Sequence, residues 1–472
     1  MKFSTNFLMI ASLLPLALNA QPAPEQPLKV AEPSQRLQAV VFPQKMANQH
    51  LLSETEQALL ADPELTRQVI NRTIDAGQIH LLPRLISLYQ QFPHADQVLI
   101  RYGNGIVAMA NQNFRQGIDL FEQILVEYPD FHPVRLRLAQ ALFADYQTKD
   151  AKQAFAKLAQ SPLPVAIQQQ IQLYQQAIEQ REKWRWQFGL NYLQDDNVNN
   201  ASEAEYIYVG NVPFKKNADS LPQSAKGFNY SFNLSKTFNL FGNHALIFEN
   251  QFSGKSFWNN HAFDDHTNRT SLGYQYQQAQ LRLAVLPFYE RRWYANHRYN
   301  KGQGIRLEAE KWFGSQWQLS LATEQSRLKY HAGNRALNSR NSLLSSTLLY
   351  AINSQSYVYL GADYQRDKTQ DRTLASIRYT GRLGWGQQWG KNFGSRIQLS
   401  YGKRNFDAKH RLLLKIRQDK EFSLNVSLWH KKLQLWGIMP KLNYQYSRVQ
   451  SNLASLYSTH KQRIYLDFQK VF

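Results

Sequence analysis

Oxygen-bearing side chains recur at every second position in one short segment. Asp195, Asn197 and Asn199 have the spacing of the first ligands in a calcium-binding loop. The loop's glycine at the sixth place and glutamate at the twelfth are missing, because Asn200 and Tyr206 stand there. Asp and Asn also favour turns, since their side chains bond nearby backbone groups. We therefore predict a turn made of Asp195, Asp196, Asn197, Val198, Asn199 and Asn200.

A second polar cluster consists of His261, Asp264, Asp265 and His266. These are possible metal ligands, but polar loop residues are more often simply solvated, and we predict no metal ion here. Hydrolysis would need a nucleophile, a base and an orienting carboxylate, and no spacing argues for such a set. The chain has no cysteine, which excludes thiol chemistry and Cys-ligated metals. We predict no catalytic residues and no cofactor.

Composition divides the chain near Lys183. Residues 1–183 are balanced, with 16 basic and 16 acidic residues, whereas residues 184–472 hold 39 basic and 19 acidic ones. The whole net charge of +20 therefore lies in the second part, as do all 10 tryptophans. Two domains in different surroundings explain this division better than one continuous core.

The start of the chain is typical of an exported protein. Lys2 precedes an apolar run, Phe7 to Leu18, which is too short to span a membrane, so residues 1–20 are predicted to be a signal peptide. Residues 21–50, rich in proline, are predicted to form a flexible linker. The chain contains no other long apolar run, so any membrane crossing would have to use strands.

Residues 51–182 are predicted to form tetratricopeptide-like helical repeats. Two units of 34 residues start at Val98, and each has small residues at its eighth and twentieth positions and a Phe at its twenty-fourth. Such arrays leave a concave face for a partner peptide, although the array could instead be only a spacer. The predicted packing positions are Gly105, Gly117, Phe121, Pro129, Ala139, Ala151 and Phe155.

From residue 183 onward, apolar and polar residues alternate, which is typical of strands with one apolar face. The connections are alternately short and long, as in outer-membrane barrels with periplasmic turns and outer loops. An even strand number places both ends, and hence the helical repeats, in the periplasm. A soluble two-sheet sandwich explains neither the loops nor the aromatic content. The fourteen predicted strands lie near 184–194, 226–238, 244–257, 267–277, 279–293, 302–313, 316–330, 340–352, 355–366, 374–389, 393–405, 420–431, 433–448 and 461–472.

A fourteen-stranded barrel would have a narrow lumen. With strands about 4.8 Å apart and tilted by about 40°, the backbone cylinder is about 28 Å across, and side chains leave roughly 10–15 Å. An extended polypeptide or sugar chain fits, and a folded domain does not. We predict that the lumen wall carries paired charges of both signs. The inward candidates are Glu249, Arg282, Glu290, Arg306, Glu308, Glu310, Glu324, Arg378, Arg382, Arg396 and Arg404.

The surplus positive charge is predicted to meet outer-membrane lipids, chiefly the phosphates of lipopolysaccharide. The alternative is an acidic or nucleic-acid partner, and nucleic acid is not expected outside the cell. The predicted outer-loop cations are Arg291, Arg292, His297, Arg298, Lys403, Arg404, Lys409, His410 and Arg411.

The last ten residues, 463–472, alternate so that Ile464, Leu466 and Phe468 share one face with the terminal Phe472. This pattern predicts the strand that closes the barrel against the first strand, with Trp184, Trp186, Phe468 and Phe472 as closure residues. Phe472 is predicted to be the end that the barrel assembly machinery recognises. Lys470 interrupts the apolar row. The seam between the two strands is the first place to look for lateral opening.

Taken together, these features resemble one family. The segment from Trp184 through Leu193, the Asp-Asn turn after it, the short repeat array and the barrel are similar to the surface lipoprotein assembly modulator (Slam) family of Gram-negative bacteria. The resemblance implies translocation of a client protein to the cell surface, either a lipoprotein or a secreted haem- or iron-binding protein. It implies client contact within residues 51–182 without identifying residues. The alternatives are an exopolysaccharide export porin and a passive porin with a periplasmic docking arm.

Overall fold

The computed structural model describes residues 56–209 and 211–471. Helices occupy residues 56–182, and a closed fourteen-stranded antiparallel barrel begins at Arg185. The predicted fold class is confirmed. The predicted signal peptide, the predicted linker and Phe472 lie outside the described residues. Within those residues, no helix is both long enough and apolar enough to cross a membrane.

The described part of the helical domain forms eight α-helices with one continuous apolar core. Two helices begin directly after Asp62 and Asp96, whose carboxylates accept hydrogen bonds from backbone N–H groups of the first turn. The helices are α1 (Glu56–Ala61), α2 (Pro63–Asp75), α3 (Leu82–Tyr89), α4 (Gln97–Ala110), α5 (Phe114–Glu127), α6 (His132–Ala144), α7 (Thr148–Ala159) and α8 (Val165–Glu182).

Two predicted glycines lie where α4 packs on α5. A Cβ added to Gly105 would come within 2.5 Å of Phe121 Cε1, and one added to Gly117 would lie 3.2 Å from the Gly105 carbonyl oxygen. Phe121 is completely buried. The large side chain therefore fills the space that the missing side chains leave, as the repeat spacing predicts.

The next unit repeats this arrangement. Ala139, Ala151 and Phe155 are completely buried. Pro129 is different, because it is exposed in the turn between α5 and α6, where its carbonyl accepts a hydrogen bond from Arg135. Proline at this position ends a helix and does not fill the core.

Each barrel strand pairs with the next along the chain, and the first pairs with the last. The first long connection also contains a two-stranded hairpin, Tyr206–Val209 with Val212–Lys215. The strands are β1 (Arg185–Asp195), β2 (Ala225–Asn239), β3 (His244–Phe257), β4 (Asp265–Gln277), β5 (Leu281–Tyr294), β6 (His297–Phe313), β7 (Trp317–Tyr330), β8 (Ser339–Asn353), β9 (Ser356–Thr369), β10 (Ser376–Trp389), β11 (Phe393–Lys409), β12 (Ile416–His430), β13 (Ile438–Ser451) and β14 (Thr459–Val471).

The thirteenth strand begins five residues later than predicted. A 3-10 turn occupies Lys431–Leu433, and Trp436 and Gly437 have φ values of 52° and 79°. Left-handed backbone of this kind cannot continue a strand. The prediction of a strand from residue 433 is therefore wrong. Apolar side chains caused the error, since Leu435 and Trp436 are apolar but lie exposed in a turn.

The outside of the barrel is apolar. Leu344, Leu360 and Ile464 are among its exposed side chains. At the end that carries the helical domain, Trp317 and Tyr350 lie opposite each other on β7 and β8, with ring centroids 4.5 Å apart. An apolar belt bordered by aromatic rings is typical of strands that cross a lipid bilayer.

Candidate functional site

The helical domain is hydrogen-bonded to two short turns of the barrel. Asp145, which follows α6, accepts from the backbone N–H of Ala279 at 3.1 Å through Oδ1. Its Oδ2 and its backbone oxygen accept from Asn243 Nδ2 at 3.1 and 2.6 Å. Asp150 Oδ2 accepts from the N–H of Gly242 at 3.0 Å. These contacts fix the repeats at one side of the barrel mouth.

The last helix connects the two domains. α8 ends at Glu182 and β1 begins at Arg185. Arg181 donates to the Phe143 carbonyl at 2.8 Å, and its guanidinium carbon lies 3.6 Å from the centre of the Phe143 ring. Burial lowers the pKa of Arg181 to about 10. The helix that enters the first strand is thus held against α6.

Ion pairs line the inside of β4 to β7. Arg269 forms two hydrogen bonds with Glu324, at 3.2 and 2.8 Å. Arg306 contacts Glu308 at 2.7 Å and Glu324 at 3.4 Å, and Arg282 contacts Glu308 at 2.9 Å. The five side chains form one connected network. A network of alternating signs presents little net field to the lumen.

A second group of ion pairs lies on β9 to β12. Together with the network on β4 to β7, this second group confirms the predicted wall of paired charges on both sides of the lumen. Glu249, Glu290 and Arg396 also lie on inward positions of their strands. The pairs of the second group are Arg382 with Asp363 at 2.7 Å, Arg404 with Asp367 at 3.3 Å and Arg378 with Glu421 at 2.6 Å.

The Asp-Asn segment forms a turn whose side chains bond its own loop. Asp195 Oδ1 accepts from the N–H of Asn197 at 3.0 Å. The Asn197 amide bonds both the N–H and the carbonyl of Ala201, at 2.8 and 2.7 Å. Asn199 Nδ2 donates to the carbonyl of Leu221 at 2.8 Å. The amide groups are thus engaged by backbone, which accounts for Asn at these positions.

The turn is directed into the barrel. Asp195, Asn197 and Asn199 are buried, Asp196 is exposed, and Asn200 has a φ of 50°. Val198 packs in an apolar cluster with inward side chains of the first three strands. The first long connection therefore narrows the end of the lumen that is far from the helical domain. The other members of the cluster are Leu193, Ala225, Phe257 and Phe263.

The possible metal ligands of the second polar cluster are engaged in hydrogen bonds and ion pairs. His261 Nδ1 lies 2.9 Å from Asp264 Oδ2, and Asp264 Oδ1 accepts from the N–H of Phe257 at 2.7 Å. Asp265 is paired with Arg292 at 2.6 Å. No group of three or more His, Asp or Glu residues that could hold a metal ion occurs in the described part of the chain.

The seam between β1 and β14 is much shorter than the other strand pairings. Within the described residues, five residues of β1, Gln187–Asn191, lie opposite Asp467–Val471, whereas every other neighbouring pair matches at least eleven. Beyond these five, Asp195 lies 3.3 Å from Lys461 Nζ and 3.9 Å from Arg463. The far half of the seam is thus closed by side chains instead of a backbone ladder.

The predicted closure residues take different places. Phe468 lies in the seam, opposite Leu190. Trp186 lies opposite Leu234 of β2. Trp184 precedes β1 and packs on aromatic rings of β2 and β3. The tryptophans belong to the aromatic border of the apolar belt.

Two of the cations that were predicted to meet lipid at the outer end lie inside the barrel. Arg292 is only 4% exposed and is paired with Asp265. Arg404 is an inward residue of β11, paired with Asp367. For these two residues the prediction of lipid contact is wrong, because their positions on β5 and β11 turn both side chains into the barrel. For Arg404, the prediction of an inward residue is the correct one.

Comparison with known proteins identifies both domains. Residues 184–472 match the family model described as "Surface lipoprotein assembly modifier". Residues 52–155 match "Surface lipoprotein assembly modifier, N-terminal TPR repeats". The barrel thus belongs to a family of transport or assembly proteins of the outer membrane.

Curated relatives cover most of the chain. "Surface lipoprotein assembly modifier 1" of Haemophilus influenzae is 33% identical, over 90% of this chain and 88% of its own length. "Surface lipoprotein assembly modifier" of Pasteurella multocida is 31% identical, over 91% and 87%. "Hemophilin secretion modulator" of Acinetobacter baumannii is 25% identical, over 80% and 79%. The chain belongs to the surface lipoprotein assembly modifier family.

Proposed function

We propose that this protein is a translocon that moves a client protein across the outer membrane to the cell surface. The names of its relatives suggest two kinds of client, a surface lipoprotein or a secreted protein such as hemophilin. In this proposal the helical repeats receive the client in the periplasm, and the barrel provides its route outward.

The observation that carries the proposal is the attachment of the repeats to the barrel. Asp145 and Asp150 bond the turns at Asn243, Ala279 and Gly242, so a peptide held by the repeats starts its passage at the barrel mouth. A tethered repeat domain raises the local concentration of its client there. A spacer on a flexible linker would need no such contacts.

The lumen wall suits a polypeptide better than an anionic sugar polymer. An unfolded chain carries charges of both signs and many amide groups, which the paired Arg and Glu side chains can hydrogen-bond in passing. An anionic exopolysaccharide would be favoured by an unbroken basic wall. Because the estimated lumen excludes folded domains, the client passes unfolded, and its folding outside supplies the driving force.

Reconstituted liposomes test the proposal. The protein is oriented with its helical domain inside, an unfolded client is enclosed, and protease is added outside. We expect the client to become accessible and to be cleaved only in liposomes that contain this protein. Equal protection of the client with and without the protein would contradict the proposal. An unfolded, unrelated polypeptide enclosed in the same way controls for leakage and for selectivity.

The same liposomes distinguish the alternatives. A passive porin with a docking arm predicts steady conductance in the absence of client. An exopolysaccharide exporter predicts binding and passage of an anionic sugar polymer. We expect low conductance without client, because the Asp-Asn turn with Val198 narrows the outer end of the lumen.

A further inference from the structure

A row of like charges crosses the outside of the barrel at its outer end. Arg327 on β7 lies directly opposite Arg340 on β8, which in turn lies opposite Lys368 on β9. One step further out, Lys301 on β6 lies opposite Lys329 on β7. Like charges placed directly opposite each other destabilise a sheet. Such an arrangement requires negative charges nearby that offset the repulsion.

The described part of the chain supplies no carboxylate paired with these side chains. None of the five side chains forms an ion pair with a carboxylate in residues 56–209 and 211–471. Asp407, which lies near Lys368, is already paired with Arg366 at 2.6 and 2.5 Å. The basic residues of the lumen are different, since most of them face a glutamate or aspartate on a neighbouring strand.

The five cations surround a cleft. Its volume is about 660 Å³, and Arg335 of the β7–β8 loop also lines it, whereas no Asp or Glu does. Arg327, Arg340 and Lys368 are all exposed. The cleft can therefore accept a bulky anion with several oxygen atoms, and the guanidinium groups offer paired donors for phosphate.

The height of the row identifies the anion. Arg327 lies ten residues along β7 from Trp317, the aromatic residue at the periplasmic border of the apolar belt. At about 3.3 Å per residue and a tilt of about 40°, this is a height of about 25 Å, the thickness of the apolar band of outer-membrane barrels. Beneath the row, the outward residues Leu344 and Leu348 are exposed to lipid.

We propose that Lys301, Arg327, Lys329, Arg340 and Lys368 form a binding site for the phosphorylated glucosamine headgroup of lipopolysaccharide. The phosphates lie over the row Arg327, Arg340 and Lys368, and the acyl chains lie along the apolar outer face of β7 to β9. The site accounts for part of the positive charge of the barrel. It is independent of any client and of the proposed translocation.

Binding of purified lipid A to the detergent-solubilised full chain tests the site. The variant R327Q/R340Q/K368Q is compared with K226Q/K420Q/R448Q, which removes three exposed cations near the same end of the barrel, no two of which lie opposite each other. We expect the first variant to lose affinity by about tenfold or more and the second to keep the wild-type affinity within about twofold. Equal losses in both would overturn the proposal, because general charge attraction would then explain binding.

Further binding experiments distinguish a site for a lipid from a site for a free anion. Wild-type protein should bind dephosphorylated lipid A at least about tenfold more weakly, and inorganic phosphate should not displace lipid A at millimolar concentration. Equal binding of the dephosphorylated lipid, or displacement by phosphate alone, would overturn the assignment. R327K/R340K keeps the charges but removes the paired donors, so its affinity should lie between those of the wild type and of R327Q/R340Q/K368Q. Heat-modifiability on gels establishes that each variant has a folded barrel.

Discussion

Gly105 and Phe121 show how single residues determine the packing of the helical domain. The Gly105 position has no room for a methyl group, because a Cβ would overlap the ring of Phe121. The ring is completely buried and cannot move aside into solvent. The close approach of α4 and α5 therefore depends on the absence of one side chain.

Substituting Gly105 by Ala should loosen this helix pair. Alanine favours the helix by up to about 1 kcal/mol, but overpacking a dense core costs about 1–3 kcal/mol, so a net loss of stability is expected. The measurement is the thermal loss of the 222 nm circular dichroism signal of the full chain. Gln123→Ala, an exposed change on α5, is the control. An unchanged midpoint for Gly105→Ala would show that the core can expand.

For single residues, the sequence predicts features that recur at a regular spacing. It does not predict contacts between residues that lie far apart in the chain. The small and large positions of the repeats follow from periodicity, and so do the inward charges of the strands. Nothing in the sequence marks Asp145 as the partner of Asn243 and Ala279, because its environment is created only when the two domains meet. The Asp-Asn turn was recognised, but its inward direction required the strands around it.

At the scale of elements, the β1–β14 seam is unlike the other strand pairings. Its five matched residues are followed by side-chain contacts of Asp195 with Lys461 and Arg463. Fewer ladder hydrogen bonds mean a lower free-energy cost of separation. We therefore retain the hypothesis that this seam opens laterally during transport.

A disulfide across the seam should block such opening. Leu190→Cys with Phe468→Cys joins directly opposed residues, and the chain contains no other cysteine that could interfere. If the seam parts, the oxidised variant should lose client export and regain it on reduction. The control is Leu344→Cys with Tyr364→Cys, an opposed pair on β8 and β9. Full export by both oxidised variants would mean that the client passes without seam opening.

Strand number was predictable because each crossing needs its own alternating segment. The ends of the strands were less predictable, since alternation of apolar and polar residues continues into the loops and turns on either side. The region before β13 illustrates this, because the apolar residues Leu435 and Trp436 suggest a strand while the backbone at Trp436 and Gly437 is left-handed. Backbone angles of this kind are set by the neighbouring turn and not by hydrophobicity.

For the whole molecule, the contact between the domains is the main organising feature. Asp145 accepts hydrogen bonds from one barrel turn and from a side chain of another. Together with α8, which continues into β1, these bonds give the helical domain three attachments on neighbouring strands. The repeats are therefore positioned below the side of the barrel that contains the seam.

Substituting Asp145 by Ala should release the turn at Ala279. Its N–H would lose a charged acceptor, and a bond of that kind contributes about 1.5–3 kcal/mol, so amide exchange of residues 278–280 should become about tenfold faster or more. Hydrogen exchange with mass spectrometry on the full chain measures this. Asp119→Ala, an exposed change in the same domain, should leave the turn unchanged. Unaltered exchange in Asp145→Ala would show that the docking contact is not maintained in solution.

The row of Arg327, Arg340 and Lys368 has a position that matters beyond lipid binding. In a ring of fourteen strands, the β7–β8 pair lies directly across from the β1–β14 pair. Lipopolysaccharide bound to that wall would hold β7 and β8 in place, while β1 and β14 could separate at the opposite seam. Separation of β1 from β14 would then bend the lipid-bound strands β7 and β8. The composition of the outer leaflet would therefore influence how readily the barrel opens.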